Sequence, residues 1–489
     1  MTEQSHPGRR RYSCFLLLFT SLLVLAGMKV FQQTAVVQGQ ESRRIAYAAT
    51  ATALAQPITP TILLLQPTFT PILIPTVQDL HILPTSPPTY PPSSDAPPPA
   101  TLFPHNGDLL NVLVLGSDRW GDQGAYRTDV IILVSLNRTT QTVSLLSIPR
   151  DLYVYIPGWG MDRINTAEIH QLQTHQSAHR LGLLAETIEY NLGVEIHHLA
   201  RVDFDGFRAL IDRLGGLTVP VDCPVTGFRL QSPELDPDNL QNWAPFTLET
   251  GVHRMDGSLA LWYVRQRTNS SDFERNRRQQ IVLRALWGQL TNSSYIRDLP
   301  AIWEDLIGLV ETDLTLEDAL TVLPLLLSLD ASRVESHFLG LDEVNLAHSP
   351  SGASILVIDP GPFQATMQRF FTPPTQNQLV QELARVHVIS ASSVRDADRL
   401  AVARLEWAGF VATPQGRAGG QTFAQTTIYD HTGRTKGNSL RALQAMLGVS
   451  DEAVITAPEA TRTADFTVII GEDYIPCVTS AWHAFPQSD

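Results

Sequence analysis

The chain has 489 residues, of which 43% are hydrophobic and 17% are charged, and its formal net charge is −14. This length predicts two or three folded domains, and the composition excludes a chain that is disordered throughout. The negative charge excludes a broadly basic surface, so we expect no nucleic-acid partner.

The N-terminal segment predicts a membrane anchor. Three arginines at 9–11 precede an apolar run from about Tyr12 to Met28, which Lys29 can extend by snorkelling. We therefore predict a cytoplasmic N-terminus at 1–11, a transmembrane helix at 12–31, and all later residues outside the cytoplasm. The alternative is a cleaved signal peptide. No small-x-small cleavage site follows the run, so we favour an uncleaved anchor.

A proline-rich linker is predicted over 32–106. Residues 57–104 contain fourteen prolines, which favours extended polyproline II and a semi-rigid spacer. Such a spacer would hold the folded part of the chain away from the membrane. The three cysteines form no CxxC or zinc-binding spacing. Outside the membrane Cys223 and Cys477 could pair, and the sequence leaves this open.

A first folded domain is predicted over 107–375, with its core motifs at 109–290. It opens with three apolar runs, "LLNVLVLGSD", "VIILVSL" and "QTVSLLSIPRD", and the connector "NRTTQ" is typical of a β-hairpin. Helical patterns follow, and "LALWYVRQR" is predicted to be a strand that leads into a long helix over 272–290. The mixture predicts an α/β or α+β fold, with a central mixed sheet flanked by helices. A smaller α/β domain is predicted over 384–473.

Charged residues stand where the first three strands begin and end. They are Asp118 after the first strand, Arg127 and Asp129 at the start of the second, and Arg150 and Asp151 after the third. If the strands form an up-and-down meander, these positions share one edge of the sheet. Carboxylates combined with arginines suit Mg²⁺ and phosphate, because Mg²⁺ takes carboxylate and phosphate oxygens and arginine grips phosphate bidentately. We predict an anion site here, against the alternative of ordinary surface ion pairs.

Five arginines fall within the fourteen residues 265–278. If "LALWYVRQR" is a strand, Arg265 and Arg267 lie on the same face of it. In the helix that follows, Arg277 falls off the apolar stripe and is predicted to be a surface charge. The stripe itself runs through Val282, Leu283, Leu286 and Leu290 and continues backwards through Gln279, Arg275 and Asp272. Its polar N-terminal part is predicted to be either an exposed helix end or the floor of the anion site.

Several separated motifs occur between 109 and 290, in the order "VLVLGSD", "YRTDVIILVSLN", "VSLLSIPRDLYVYIPG", "RINTA", "VDFDGFRALIDRLGGLTV", "MDGSLALWYVRQR" and "SDFERNRRQQIVL". Together they resemble the LytR-CpsA-Psr family. The region 384–473, with "VHVISAS" and "WAGF", resembles the LytR C-terminal domain. An N-terminal anchor also suits this family.

The resemblance implies a phosphotransferase of the cell membrane whose catalytic domain is extracytoplasmic. It would move a glycopolymer from an undecaprenyl-pyrophosphate carrier to a hydroxyl of peptidoglycan or another wall polymer, with Mg²⁺ or Mn²⁺, and would hold the lipid tail in a long apolar pocket.

The resemblance also implies roles for individual residues. Asp118 and Asp129 would be the metal-associated acids, and Asp151 and Asp272 would orient the arginines. Arg163 stands where many members carry lysine, and its charge is kept. The catalytic set would be Asp118, Asp129, Arg150, Arg267 and Arg275. The pyrophosphate would be bound by Arg127, Arg150, Arg163, Arg265, Arg267, Arg275 and Gln279.

Two other functions stay open. One is a hydrolase that cleaves the lipid pyrophosphate at the same site with water as the acceptor. The other is a non-catalytic wall-binding or regulatory protein, which the predicted stalk and the appended small domain suggest.

Overall fold

The computed structural model describes residues 96–105, 108–118, 127–174, 182–232, 235–236, 239–267, 272–291, 303–305, 307–374 and 382–477, without the side chains of 172–174 and 272. All of these belong to one compact unit, Leu83–Asp489. Within the described ranges, no helix combines the length and apolar character needed to cross a bilayer. The predicted anchor at 12–31 and most of the predicted linker lie outside the described residues.

Strands and helices are numbered in chain order over the described residues. The strands are β1 Leu109–Ser117, β2 Thr128–Asn137, β3 Thr142–Ser147, β4 Tyr153–Ile156, β5 Gly160–Arg163, β6 His198–Val202, β7 Leu217–Val221, β8 Val225–Leu230, β9 Trp243–Leu248, β10 Gly251–Met255, β11 Glu311–Thr312, β12 Val334–Phe338, β13 Val344–His348, β14 Ser354–Ile358, β15 Arg385–Ser390, β16 Val411–Arg417, β17 Thr427–Asp430, β18 Val454–Thr456 and β19 Phe466–Ile470. The helices are α1 Ala167–Thr174, α2 Leu183–Leu192, α3 Phe204–Arg213, α4 Gly257–Arg265, α5 Asp272–Thr291, α6 Leu316–Ser328, α7 Pro360–Phe371, α8 Ala397–Trp407 and α9 Gly437–Leu447.

The first domain is built on a six-stranded mixed sheet in the order β11-β6-β1-β2-β3-β12. Strands β1, β2 and β3 form an antiparallel meander, while β6 is parallel to β1 and β12 is parallel to β3. Alternate residues of each strand face opposite sides. Leu113, Leu115 and Leu133 pack into one core, with residues of α2 and α7. Leu110 and Val112 pack into another, with residues of α6. The predicted central mixed sheet with flanking helices is therefore confirmed.

The second sheet is formed by residues 385–470, which we call the C-terminal domain. Its five strands follow the order β16-β15-β19-β17-β18, and its core includes buried residues of α8 and α9. This agrees with the small α/β module expected from the sequence.

The segment "LALWYVRQR" is not a strand, so this prediction was wrong. It forms helix α4 up to Arg265, because the carboxylate of Asp256 caps the N-terminus by accepting a hydrogen bond from the Leu259 amide at 2.7 Å. Trp262, Tyr263 and Val264 are consecutive and all buried, so α4 is covered on several sides. The apolar run therefore lacks the one-sided period that identifies a surface helix. Arg265 ends the helix and Arg267 lies in the loop after it.

The C-terminal domain packs on the first domain through α8, which contacts β7 and β10. The ring of Trp407, the last residue of α8, stacks on Phe338 at 6.1 Å between centroids.

Cys223 and Cys477, whose pairing the sequence left open, form a disulfide. It joins the end of β7 to the chain after β19.

A β-bulge shapes the end of β1. The pairing of β1 with β2 shifts register between Gly116 and Ser117, so that Ser117 lies opposite Thr128. Bulges of this kind re-aim the residues at the end of a strand. A Cβ at Gly116 would lie 2.9 Å from Cβ of Val130, closer than two carbon atoms pack. Glycine is required here because the two strands approach so closely.

We predict that Gly116→Ala lowers the free energy of unfolding by about 1–3 kcal/mol, the usual cost of overpacking a core. Urea unfolding at neutral pH would measure it. Gly116→Ala should cost less stability in a Val130→Gly background than in the wild type, because glycine at 130 removes both the Cβ and the Cγ2 atom that lie 2.9 Å from the added Cβ. Gly288→Ala in α5 is the matched control, since nothing lies within 4 Å of its added Cβ. A Gly116→Ala protein as stable as the wild type would contradict this account of the bulge.

Candidate active site

The predicted charged edge forms at the ends of the meander. The backbone of Asp118 donates to the Arg127 carbonyl at 3.1 Å, and the Arg127 amide donates to Oδ1 of Asp118 at 2.7 Å. These bonds join the end of β1 to the start of β2. Both side chains are exposed. The Asp118 carboxylate is therefore held in place by backbone contacts while it remains accessible.

Four side chains of alternating charge, the first of them in β2, contact one another in sequence at this edge. Nη1 of Arg150 donates to Oδ1 of Asp129 at 2.7 Å, and Nε of Arg150 lies 3.3 Å from Oδ2 of Asp151. Nη1 of Arg163 donates to Oδ1 of Asp151 at 3.2 Å. The side chains of these four residues are 19–31% exposed. They are neither sealed in the core nor fully solvated, so an anion could reach the two guanidinium groups.

Arg265 brings the arginine-rich segment to the same edge. Its guanidinium lies 4.2 Å from the centre of the Phe204 ring. Desolvation there lowers the pKa of Arg265, while the carboxylates of Asp129 and Asp118 oppose this and Arg267 reinforces it. These electrostatic effects fall off with distance. Arg265 therefore lies within electrostatic range of both carboxylates and of Arg267.

Helix α5 follows this segment. Arg275 and Gln279 are 4% and 8% exposed, and Nε2 of Gln279 donates to the carbonyl of Val264 at 3.4 Å. Gln279 is thereby tied to the last turn of α4, beside Arg265. The role of Arg275 at a diphosphate stays a prediction. The side chain of Asp272 lies outside the described part of the chain, so its predicted role is untested.

Arg277 was predicted to be a surface charge, and this was wrong. It is 9% exposed and donates from Nη1 and Nη2 to the two carboxylate oxygens of Asp222, at 2.9 and 3.1 Å. Arg278 donates to the carbonyl of Gln266 and lies 5.7 Å from the centre of the Tyr263 ring. These two arginines hold α5 against its neighbours.

Glu168 and Arg201 hold the start of β2 in place, and their sequence context indicates no such role. The buried carboxylate of Glu168 accepts from Oγ1 of Thr128 at 3.1 Å and pairs with Arg201. Arg201 also contacts Glu311 at 3.0 Å. Thr128 precedes Asp129, so this network fixes the start of β2. Only the parallel pairing of β6 with β1 brings Arg201 here, and no local sequence signal indicates that pairing.

The donors at the edge suit a hard divalent cation. Mg²⁺ prefers oxygen ligands and commonly takes one or two carboxylates, with phosphate and water oxygens completing its shell. Asp118 and Asp129 supply two carboxylates. The buried hydroxyl of Ser117, beside Asp118, has no hydrogen-bond partner within the described residues. Those residues contain no group of three acidic, histidine or cysteine side chains placed to hold a metal ion.

Two small cavities in the described part of the chain lie away from this edge. Their volumes are about 60 and 10 Å³, and the larger is lined by residues that include Phe103, His105 and Phe371. Neither is the long apolar pocket that the family resemblance implies. That pocket stays a prediction.

Comparison with known proteins identifies the family. Residues 91–359 match the LytR_cpsA_psr family. The chain belongs to the LytR-CpsA-Psr family. Residues 384–474 match the domain described as LytR cell envelope-related transcriptional attenuator, as the resemblance of this region indicated.

Individual relatives are similar to this LytR-CpsA-Psr protein over part of their length. The polyisoprenyl-teichoic acid–peptidoglycan teichoic acid transferase TagU of Oceanobacillus iheyensis is 34% identical, over 44% of this chain and 62% of its own length. The regulatory protein MsrR of Staphylococcus aureus is 33% identical, over 43% of this chain and 58% of its own length. The chain thus spans about three fifths of the length of these relatives.

A solved structure is also similar. It is the LytR-CPS2A-psr family protein YwtF (TagT) with bound octaprenyl pyrophosphate lipid, which is 26% identical at a TM-score of 0.38 and covers 54% of this chain and 89% of its own.

We predict that Arg201→Ala lowers the free energy of unfolding by about 3–5 kcal/mol near pH 8, because it leaves the buried Glu168 carboxylate without its cation. Burial already raises the pKa of Glu168. A carboxyl group with a raised pKa contributes most stability below its unfolded-state pKa, and this contribution is lost as the pH rises through the folded-state pKa. The deficit of Arg201→Ala should therefore be smaller at pH 5 than at pH 8.

Urea unfolding of the variant and the wild type at both pH values would measure this deficit. Glu168→Gln in the Arg201→Ala background is the control, and it should remove the pH dependence of the deficit. An equal deficit at pH 5 and pH 8 would refute the proposed pairing.

Proposed function

We propose that this protein is an extracytoplasmic phosphotransferase that moves a glycopolymer from a polyprenyl-pyrophosphate carrier to a hydroxyl of the cell wall. The observation that carries the proposal is the charged edge, where Asp118, Asp129 and Arg150 lie at the ends of neighbouring strands and the two carboxylates act on Arg265 at the end of α4. Family membership and the transferase name of its Oceanobacillus relative support it. Peptidoglycan is the proposed acceptor, because that relative's name includes it.

The arginines would bind and stabilise the diphosphate. Their planar guanidinium groups can each donate two parallel hydrogen bonds to phosphate oxygens. In the transfer, the acceptor oxygen forms a bond to the phosphorus that carries the glycan. The bond from that phosphorus to the bridging oxygen breaks, and the lipid phosphate leaves with that oxygen. Arg150, Arg265 and Arg267 would compensate the charge that develops on the leaving phosphate.

Magnesium or manganese is proposed as the cofactor. Asp118 and Asp129 would hold the cation, which would neutralise phosphate charge when bound. One of these two carboxylates would also accept the proton of the acceptor hydroxyl. Asp151 would orient Arg150 and Arg163, since it contacts both.

The proposed location is the outer side of the cell membrane, with the N-terminal segment as a single-pass anchor. The disulfide between Cys223 and Cys477 supports this location, because disulfides persist mainly in oxidising compartments.

We predict that Arg267→Ala lowers the transfer rate by about 10²–10³-fold, the typical loss for one electrostatic donor. Arg267 is exposed, so its loss should leave the fold unchanged. Arg138→Ala is the matched control. It removes an arginine that pairs with Asp108 at the opposite end of the same meander, and it should transfer at the wild-type rate. Equal rates for Arg267→Ala and wild type would refute the role of Arg267.

We further predict that transfer requires both a divalent cation and an acceptor. Full-length protein would be incubated with a polyprenyl-pyrophosphate-linked glycan, with and without peptidoglycan, and the products identified by mass spectrometry. EDTA should abolish attachment of glycan to peptidoglycan, and Mg²⁺ or Mn²⁺ should restore it. Release of glycan phosphate at the same rate without peptidoglycan would indicate a hydrolase. The absence of turnover under all conditions would indicate a regulatory protein, as the name of the Staphylococcus relative suggests.

A further inference from the structure

Helix α5 carries two sets of side chains on opposite faces. With about 3.6 residues per turn, Arg275 and Gln279 share one face, while Arg277 and Arg284, seven residues apart, share roughly the opposite one. The first pair consists of two residues that the family resemblance assigns to the diphosphate. The second pair makes contacts that lead to the C-terminal domain.

The first of these contacts runs through Asp222. Its carboxylate accepts both hydrogen bonds from the guanidinium of Arg277, and both residues are buried. The next residue, Cys223, is bonded to Cys477, which follows the last strand of the C-terminal domain. The position of Arg277 is therefore connected by one ion pair and one covalent bond to the end of that domain.

The second contact lies about two turns further along α5. Nη2 of Arg284 donates to the Val334 carbonyl at 3.2 Å and to Oγ of Ser336 at 2.9 Å, both on β12. The same guanidinium lies 4.6 Å from the centre of the Trp407 ring at the end of α8. It is thus held between the central sheet of the first domain and an aromatic residue of the C-terminal domain.

Two acidic residues, one from each domain, act electrostatically on Arg284. Glu335 of β12 and Glu406 of α8 both act on its charge. Burial raises the pKa of each carboxyl group to about 7, and Arg284 opposes this shift; Arg369 opposes it for Glu335 as well. The effect of Glu406 on Arg284 comes from the C-terminal domain, so the first domain alone could not supply it.

We infer that the C-terminal domain is a positioning element for helix α5: by holding Arg277 and Arg284, it sets the depth and rotation of the helix and so the placement of Arg275 and Gln279 at the diphosphate. A helix fixed at two points on one face cannot rotate or slide without breaking an ion pair or a stacking contact. The positioning residues are Asp222, Cys477 and Trp407, none of which belongs to the charged edge. The part concerning the diphosphate rests on the proposed function.

The test compares full-length wild-type protein with Cys477→Ser and Trp407→Leu. Hydrogen exchange of the backbone amides of α5, followed by mass spectrometry, reports the stability of the helix directly. We expect exchange in α5 to accelerate about tenfold in both variants, while exchange in β1, β2 and β3 stays unchanged. Calorimetric titration with farnesyl pyrophosphate and Mg²⁺ should show Kd raised about tenfold, a typical coupling between sites.

Two controls separate positioning from general damage. Trp407→Phe keeps an aromatic ring under Arg284 and should restore both readouts to near wild-type values. Ile455→Ser alters an exposed apolar residue of the C-terminal domain and should change neither readout. Chemical reduction of the wild type should reproduce the effect of Cys477→Ser.

Unchanged exchange in α5 in both variants would overturn the inference, whatever happens to ligand binding. Faster exchange in α5 together with an unchanged Kd for farnesyl pyrophosphate would overturn the second part of the inference, that the C-terminal domain sets the placement of Arg275 and Gln279. If wild-type protein does not bind farnesyl pyrophosphate but α5 still exchanges faster in the variants, the proposed function fails and the positioning of the helix stands.

Discussion

The register between β1 and β2 is the constraint on which the site depends. Antiparallel pairing places the end of β1, the start of β2 and the end of β3 at one edge. The bulge at Gly116 then sets Ser117 opposite Thr128. A shift of one residue would turn every side chain of a strand to the other face, which would separate Asp129 from Arg150. The two apolar cores, one on each face of the sheet, oppose such a shift.

The arginines of the 265–278 segment serve two purposes. A buried guanidinium is costly unless it is paired, and Arg277 and Arg278 meet this requirement with Asp222 and the Gln266 carbonyl. They stabilise α5. Arg265 and Arg267 are exposed at the edge, where an anion can reach them. The acidic chain therefore contains a local positive site. Arg277 and Arg278 are compensated by a carboxylate and a carbonyl group, while Arg265 and Arg267 stay accessible to an anion.

The sequence predicts the meander well, because its three strands are apolar runs separated by recognisable turns. It predicts the acids and arginines of the edge for the same reason. It fails at α4, where an apolar run buried on several sides shows no helical period. It also cannot reveal the pairing of Glu168 with Arg201, or of Asp222 with Arg277. Both pairs join elements distant in sequence, and only the tertiary fold brings them together.

An experimental structure of the full-length protein with farnesyl pyrophosphate and Mg²⁺ tests the central claim most directly. The account predicts the diphosphate at the edge formed by β1, β2 and β3, with guanidinium nitrogens of Arg150, Arg265 and Arg267 within about 3 Å of its oxygens and the cation between these oxygens and Asp118 or Asp129. A diphosphate bound elsewhere, with Arg150 still paired only with Asp129 and Asp151, would contradict it.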